Sequence, residues 1–213
     1  MPDNQLRLVR RLATGKPLIL IVLGNRPRLI TEIAGHCHAI IYAGQPGPHG
    51  GKALYELLTG QFNPSGRLPF TYPRHPNSLL TYDHKHSDSV GPDKETPGFN
   101  PLYEFGHGLS YTSFTFSDLK LNSSTLTKED DIILSVKVTN TGARRGKETV
   151  DVFTRDLFAS ITPSVKRLRA FLQVELEAGE AKNVTLKIPV KELAYHGLEN
   201  SLSLIHISEP TRR

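Results

Sequence analysis

Two pairs of histidines have a spacing that could serve metal binding. His36 and His38 flank Cys37, and His84 and His86 are likewise two residues apart, so each pair can place both imidazoles on one face of an extended segment. A zinc site would need a third converging ligand, and the sequence indicates none. Cys37 precedes an apolar run, where a free cysteine packs as a small hydrophobe. The sequence therefore predicts no metal site and no cofactor, with His84 and His86 as polar loop residues.

Two further stretches resemble functional motifs but lack residues that these motifs require. The glycine-rich stretch 44–52 has Pro46 and Ala53 where a phosphate-binding loop needs its first glycine and its Ser or Thr. Ser110 lies in a stretch like the nucleophile elbow of hydrolases, but that stretch ends in Thr112 instead of glycine and follows no buried strand. We expect no nucleotide site, and we interpret Ser110 as structural.

Carboxylate pairs are a third possible source of chemistry, because glycosidases need two carboxyl groups about 5 to 10 Å apart. The carboxylates in the first half of the chain that could be considered are Glu32, Glu56, Asp83, Asp88 and Glu104. No feature of the sequence marks two of them as a catalytic pair.

The elements that would position such residues follow an α/β pattern in the first part of the chain. Residues 18–23 and 39–42 are unbroken apolar runs, as parallel strands buried on both faces require. The spacing predicts a helix over 28–34, and a second over 52–58 that ends at Gly60. Strand, helix, strand and helix together predict part of an open α/β sheet.

Three polar residues follow the predicted strands. Asn25 comes after the first strand, and Gln45 and His49 come after the second. Open α/β sheets present ligands at the carboxyl ends of their strands, so we expect a substrate-side rim at these positions. Polar packing within a turn is the alternative for each residue.

The second half of the chain has a different rhythm. Residues 71–111 are rich in proline and have almost no periodicity, which predicts a long loop. From Phe114 the apolar residues alternate, and the runs 132–138, 150–153, 168–174 and 184–188 are separated by turn signals. This pattern is typical of a β-sandwich. The predicted fold class is thus α/β followed by an all-β sandwich.

Composition excludes several classes of function. Among 213 residues there is no apolar run of the roughly 18 residues that a membrane span needs. The net charge is +5, but the basic residues form small clusters between acidic ones, without the interleaved aromatics that stack on bases. We expect neither a membrane span nor a nucleic-acid partner.

The chain resembles glycoside hydrolase family 3, of the β-glucosidase type, over about residues 2–200. The motifs that carry the resemblance are GKPLILIVLGNRP (15–27), AIIYAGQPGPHGGKA (39–53), LLTGQFNPSGRLPFTYP (57–73) and FGHGLSYT (105–112). Residues 136–142, 146–152, 163–168 and 176–180 are similar to the fibronectin type III-like domain of those enzymes. The resemblance implies the end of an α/β-sandwich domain over 1–72, a linker loop over 73–118 and an incomplete fibronectin type III-like domain over 119–200.

The resemblance also implies a mechanism and a substrate. In the family, β-glycosides are cleaved with retention by an aspartate nucleophile on a preceding (β/α)₈ barrel and by an acid/base glutamate that lies upstream of the segment matching 2–6. We therefore expect a β-glucosidase fragment that lacks both catalytic carboxylates, with the missing barrel and a β-glucoside as partners of the intact parent. A β-xylosidase or another β-glycosidase of the family is one alternative, and a non-catalytic sandwich module for binding or interaction is the other.

The two ends of the chain carry further expectations. Met1 can be a mis-assigned start, and Leu202 to Arg212 resemble a translated sequencing adapter, so we expect 201–213 to be a non-native tail. Asn122 and Asn183 lie in glycosylation sequons. They fit a parent that is secreted, vacuolar, lysosomal or periplasmic.

Overall fold

A computed structural model describes residues 2–78, 81–86, 98–157, 159, 161–196 and 202–203. These residues form two compact units. In the described part of the chain the first unit contains 2–62, 68–78, 81 and 98–107, and the second contains 63–67, 82–86 and the residues from 108 onward. The domain bounds expected from the family resemblance stay a prediction.

The described residues of the first unit form three helices and two parallel strands. In chain order they are α1 (Asp3–Leu12), β1 (Ile19–Leu23), α2 (Thr31–Ala34), β2 (Ala39–Gly44) and α3 (Gly50–Leu58). The strands pair in parallel from Ile19 opposite Ala39 to Leu23 opposite Gly44. The predicted order of strand, helix, strand and helix is confirmed.

The helices of this unit differ from the prediction in two respects. The helix expected over 28–34 is a single turn, α2, because Ile30 precedes it with φ −121° and only Thr31–Ala34 are helical. Ile30 and Ile33 are nevertheless both buried in the core, which explains the helical spacing of the apolar residues. The structure also adds α1, which was not predicted although Asp3 and Arg10 place opposite charges at its two ends as the helix dipole favours.

The second unit contains the strands predicted from the alternating pattern. The first strand, β3 (Phe114–Leu121), precedes the four predicted runs, which are β4 (Asp131–Asn140), β5 (Gly146–Thr154), β6 (Arg167–Leu176) and β7 (Ala181–Pro189). A 3₁₀ turn (Val190–Leu193) and two short strands, β8 (Tyr195–His196) and β9 (Leu202–Ser203), follow. The antiparallel sheets have the orders β3-β4-β7, β5-β6 and β8-β9.

The inward side chains of these strands form the second core. Leu134, Val136 and Val138 alternate along β4 and are buried, and Leu186 and Ile188 continue the pattern on β7. Because alternate residues of a strand point to opposite faces, the sequence period of two translates directly into this core. The fold class is therefore confirmed as a mixed α/β part followed by an all-β part with open sheets.

The loop expected over 71–111 lies partly outside the described residues and stays a prediction. Between α3 and β3, the described residues form loops that are tied by isolated β-bridges, Tyr72 with Tyr103 and Lys85 with Ser164. No helix in the described part of the chain is long and apolar enough to cross a membrane.

Candidate functional site

The carboxyl ends of β1 and β2 lie side by side, because the two strands run in parallel. The backbone N–H of Gly24 donates to the carbonyl oxygen of Gly44 at 2.9 Å, which ties the first residue after β1 to the last residue of β2. Gly44 has φ +58°, a conformation that other residues adopt at a cost. Asn25 and Gln45 each follow this junction by one residue.

A tight turn brings His49 to the same edge. The turn ends at His49, which is the residue before α3. A side chain at Gly50 would meet Pro46 Cβ at 2.5 Å, so only glycine allows the helix to begin so close to the turn. The backbone geometry of this turn thus explains why glycine occurs at positions 44 and 50, without any role in phosphate binding.

The side chains of the predicted rim are all accessible to a ligand. Asn25, Gln45 and His49 are exposed. None of the three side chains makes a hydrogen bond or ion pair with the residues that the structure describes. Their amide and imidazole groups can both donate and accept hydrogen bonds. Their role toward a substrate stays a prediction.

An aromatic cluster packs next to this edge of the sheet. Tyr42 on β2 packs edge to face on Phe70 and Tyr72, with ring centroids 5.4 and 6.0 Å apart. The hydroxyl of Tyr42 donates to the carbonyl oxygen of Gly24 at 3.4 Å, and that of Tyr72 donates to the carbonyl oxygen of Arg28 at 2.7 Å. Burial raises the pKa of Tyr72 to about 12. The sequence pattern did not reveal this support, because its members are far apart in the chain.

Two of the carboxylates considered from the sequence form ion pairs. Glu32 on α2 forms an ion pair with Arg10 at 2.5 Å, and Glu56 on α3 forms one with Lys52 at 3.8 Å. Both lie on helices and away from the carboxyl ends of the strands. Asp88 lies outside the described residues.

The histidine pairs have separate partners. The ring Nδ1 of His38 accepts the backbone N–H of Leu18 at 3.1 Å, at the amino end of the sheet. The thiol of Cys37 donates to the carbonyl oxygen of Ile33 at 3.3 Å, and burial raises the pKa of Cys37. The ring of His86 contacts the guanidinium of Arg155 at 2.8 Å. Within the described ranges, no group of three or more His, Cys, Asp or Glu residues could hold a metal ion.

The segment Asn63–Arg67 belongs to the second unit and explains Ser110. Asn63 Oδ1 accepts the Ser110 hydroxyl at 2.9 Å and the Tyr111 N–H at 2.8 Å, and its Nδ2 donates to the Arg145 carbonyl at 2.9 Å. The Ser110 hydroxyl thus helps to fix this segment. Arg67 anchors it further through a partly buried ion pair with Glu148 at 2.5 Å.

The two asparagines of the glycosylation sequons lie in different surroundings. Asn122, directly after β3, accepts the N–H of Ile133 at 3.0 Å and donates to the carbonyl oxygen of Asp131 at 2.9 Å. Asn183 is exposed on β7. Modification at either position stays a prediction.

Two family models match the chain. The model described as Glycosyl hydrolase family 3 C-terminal domain matches residues 1–111, and the model described as Fibronectin type III-like domain matches residues 148–203. The first match contains the whole rim and its aromatic support. The second contains most of β5 and all of β6 and β7.

Curated relatives and solved structures give the same assignment. A periplasmic beta-glucosidase of Salmonella typhimurium is 36% identical over 92% of this chain and 27% of its own length. A lysosomal beta glucosidase of Dictyostelium discoideum is 34% identical, over 96% of this chain and 26% of its own length, and a beta-xylosidase of Formosa agariphila is 34% identical, over 84% and 25%. The crystal structure of a beta-glucosidase from Listeria innocua in complex with glucose superposes with a TM-score of 0.87 at 28% identity, covering 99% of this chain and 30% of that one. The chain thus spans about a quarter of the length of the curated relatives that it matches.

Proposed function

The chain belongs to glycoside hydrolase family 3, and we propose that it forms the C-terminal part of an enzyme that hydrolyses terminal β-glucosidic bonds with retention. The observation that carries this proposal is the match to β-glucosidases along nearly the whole chain, with 92% of it aligned to the Salmonella enzyme. The motifs for both parts of the chain occur in the order that the family resemblance implies.

Within that enzyme, the edge formed by Asn25, Gln45 and His49 would face the bound sugar. The support for this role is geometric, since the three side chains are exposed at the carboxyl edge of a parallel sheet and have amide or imidazole groups suited to hydroxyl groups. A neutral β-glucoside offers mainly hydroxyl groups, which such side chains recognise by hydrogen bonds. These residues would orient the substrate and take no part in bond cleavage.

We further propose that the 213-residue chain is inactive by itself. Retaining hydrolysis needs two carboxyl groups about 5 Å apart across the scissile bond. Glu32 and Glu56 are each engaged with a cation on a helix, and the resemblance implies that both catalytic carboxylates lie in segments upstream of residue 2. Without either group, both the covalent step and proton transfer are lost.

The first experiment measures p-nitrophenol release from p-nitrophenyl β-glucoside by the purified chain. We expect no release above the buffer rate, with the Salmonella enzyme as positive control. Release that a single carboxylate substitution within the chain abolishes would show that the active site lies inside it.

The second experiment tests the substrate and the rim. Residues 2–200 replace the matching part of the Salmonella enzyme, and kcat and KM are measured on p-nitrophenyl β-glucoside and on the β-xyloside. Alanine at Asn25, Gln45 and His49 together is expected to raise KM or lower kcat at least about tenfold, the effect of roughly 1.4 kcal/mol of lost binding. Alanine at Lys16 and His36, exposed residues at the amino edge of the same sheet, is the matched control.

The outcomes distinguish the candidates. Unchanged kcat and KM in the rim variant, or an equal loss in the control, would refute the role of the rim. A preference for the β-xyloside would favour the second candidate, a β-xylosidase, which the similarity to the Formosa enzyme supports.

A further inference from the structure

A pocket in the first unit is lined by one continuous stretch of the chain, residues 99–107. It has a volume of about 650 Å³ and is open to solvent. Small-molecule sites in proteins usually measure about 300 to 1,000 Å³, so this pocket has room for a ligand much larger than a water molecule. None of the rim residues lines it.

Backbone hydrogen bonds hold the lining of the pocket in place. Leu68 and Tyr72 each form two such bonds with the stretch 99–107, at distances of 2.8 to 2.9 Å. Within the stretch, the N–H of His107 donates to the carbonyl oxygen of Glu104 at 3.1 Å. Because these bonds use backbone atoms, the shape of the pocket is set before a ligand arrives. Side chains of the lining can therefore be replaced without loss of these bonds.

Aromatic rings make up a large part of the lining. Four of its nine residues have one, namely Phe99, Tyr103, Phe105 and His107. The rings of Tyr103 and His107 are stacked, with centroids 4.9 Å apart and planes 17° from parallel. Tyr72 packs edge to face on Tyr103 at 6.0 Å. His107 is exposed, so the stacked pair offers an aromatic surface to a ligand.

Polar groups lie among these rings. The Tyr103 hydroxyl and the ring nitrogens of His107 make no hydrogen bond with the part of the chain that the structure describes. Both groups can donate and accept hydrogen bonds. Asn100 and Glu104 add an amide and a carboxylate to the lining. The pocket thus combines aromatic surface with groups that recognise hydroxyls.

The charges beside the pocket favour a neutral ligand. Nη2 of Arg74 donates to the carbonyl oxygen of Pro101, a lining residue, at 3.0 Å. Burial and then the nearby Cys37 raise the pKa of Tyr103, while Arg74 acts in the opposite direction. Both observations place a guanidinium next to a lining that also contains Glu104. Arg74 would repel an organic cation, which aromatic rings also bind, and Glu104 would repel an anion.

We propose that this pocket binds a neutral sugar, with a pyranose ring against the stacked Tyr103–His107 pair. A pyranose has C–H groups on its ring faces and hydroxyl groups around its edge. Aromatic faces pack against the C–H groups, and the polar groups of the lining form hydrogen bonds with the hydroxyls. Two sources share this chemistry, free glucose and a glucose unit within an oligosaccharide. The proposal goes beyond the proposed function, since it depends neither on the rim nor on hydrolysis.

Saturation-transfer-difference NMR on the full 213-residue chain tests the proposal. The probes are glucose, cellobiose, glycerol and tetramethylammonium chloride, each titrated separately. Glycerol offers hydroxyl groups without a ring face, and tetramethylammonium is a cation that aromatic rings attract. We expect saturable transfer to glucose or cellobiose and none to glycerol or tetramethylammonium.

Variants of the stacked pair locate the bound sugar. His107→Ala removes the exposed ring, keeps the backbone bonds and should weaken the affinity at least about tenfold. Tyr103→Phe keeps the stacked ring, removes the hydroxyl and should weaken the affinity about threefold, which guards against a folding defect in the first variant. His36→Ala is the matched control, because His36 is an exposed histidine of the same unit that does not line the pocket. It should leave the affinity unchanged within about twofold.

The results separate the possible explanations. Absence of saturable transfer to both sugars would overturn the proposal, as would saturable transfer to tetramethylammonium alone or equal losses in His107→Ala and His36→Ala. Loss of sugar binding when the three rim residues are changed to alanine, with full binding in His107→Ala, would place the sugar at the rim. The inference would then fail while the proposed function stands. Tighter binding of cellobiose than of glucose would assign the pocket to oligosaccharides, and the reverse order would assign it to free glucose.

Discussion

Asn140 at the end of β4 is fully buried, and all the hydrogen-bonding capacity of its side chain is used. Its Oδ1 accepts the Thr112 hydroxyl at 2.7 Å and the Gly142 N–H at 3.1 Å. Its Nδ2 donates to the carbonyl oxygens of Arg144 at 2.7 Å and Leu176 at 3.2 Å. The side chain of Asn140 thus links the turn after β4 and the end of β6 to Thr112, which lies two residues before β3.

The substitution Asn140→Ala would leave these four partner groups without their hydrogen bonds. A buried polar group left unsatisfied costs about 1 to 3 kcal/mol. The Arg144 carbonyl is only partly buried and can recover a bond to water, as can the Gly142 N–H. With the Thr112 hydroxyl and the Leu176 carbonyl left buried, we expect a loss of about 3 kcal/mol in the free energy of unfolding, a large share of the roughly 5 to 15 kcal/mol of a typical domain.

Urea denaturation followed by far-ultraviolet circular dichroism measures this loss, since the chain has no tryptophan. Amide hydrogen exchange in β4 and β7 assigns the transition to the second unit. Asn183→Ala is the matched control, an exposed asparagine on the neighbouring β7 strand, expected to change stability by less than about 0.5 kcal/mol. Equal urea midpoints for the two variants would refute the reasoning.

Further predictions concern pH, the turn after β3 and the exposed faces of the strands. Burial raises the pKa of Asp151 above its usual 3.8, and Arg67 opposes this shift. The folded state therefore binds this proton more tightly than the unfolded state, and stability falls as pH rises from 3.8 through the raised pKa. Asp151→Asn should remove that slope from urea midpoints measured across this window, and an unchanged slope would contradict the assignment. Asn122→Ala breaks two hydrogen bonds to β4 and should cost about 1 kcal/mol in urea denaturation; no change would mean that water replaces both bonds. Phe171 on β6 is 69% exposed in a two-stranded open sheet, so the chain should self-associate, and Phe171→Lys should shift sedimentation profiles toward monomer. Identical profiles for both proteins would count against this role of the exposed face.

Much of the fold could be predicted from the sequence, because the patterns that indicate strands and helix ends involve residues close together in the chain. Alternation of Leu134, Val136 and Val138 predicted a half-buried strand, and that strand is β4. Gly60 has φ +73° and follows α3 as predicted, because a left-handed residue ends a helix most readily at glycine. Such features depend on neighbours a few residues away, so the printed sequence contains the needed information.

The lengths of the helices were harder to predict from the sequence than the strands. Helical spacing between 28 and 34 reflects two residues, Ile30 and Ile33, that face one core, and a single turn is enough to bury both. The prediction was therefore right about the buried face and wrong about the length. Packing against the sheet decides how far a short helix extends, since isolated short helices have little stability of their own.

The four predicted strands, the order of the elements and the family motifs follow from residue types and short spacings in the chain. The folded structure was needed to show that Asn63 bonds to Arg145, 82 residues away, and that Lys85 contacts Ser164, 79 residues away. The same holds for the side-chain bonds of Asn140 to Thr112 and Leu176, which are 28 and 36 residues away. Side-chain hydrogen bonds join groups whose separation in the chain follows no period, so no local pattern records them. They are set by the path of the folded backbone, which brings these groups within about 3 Å.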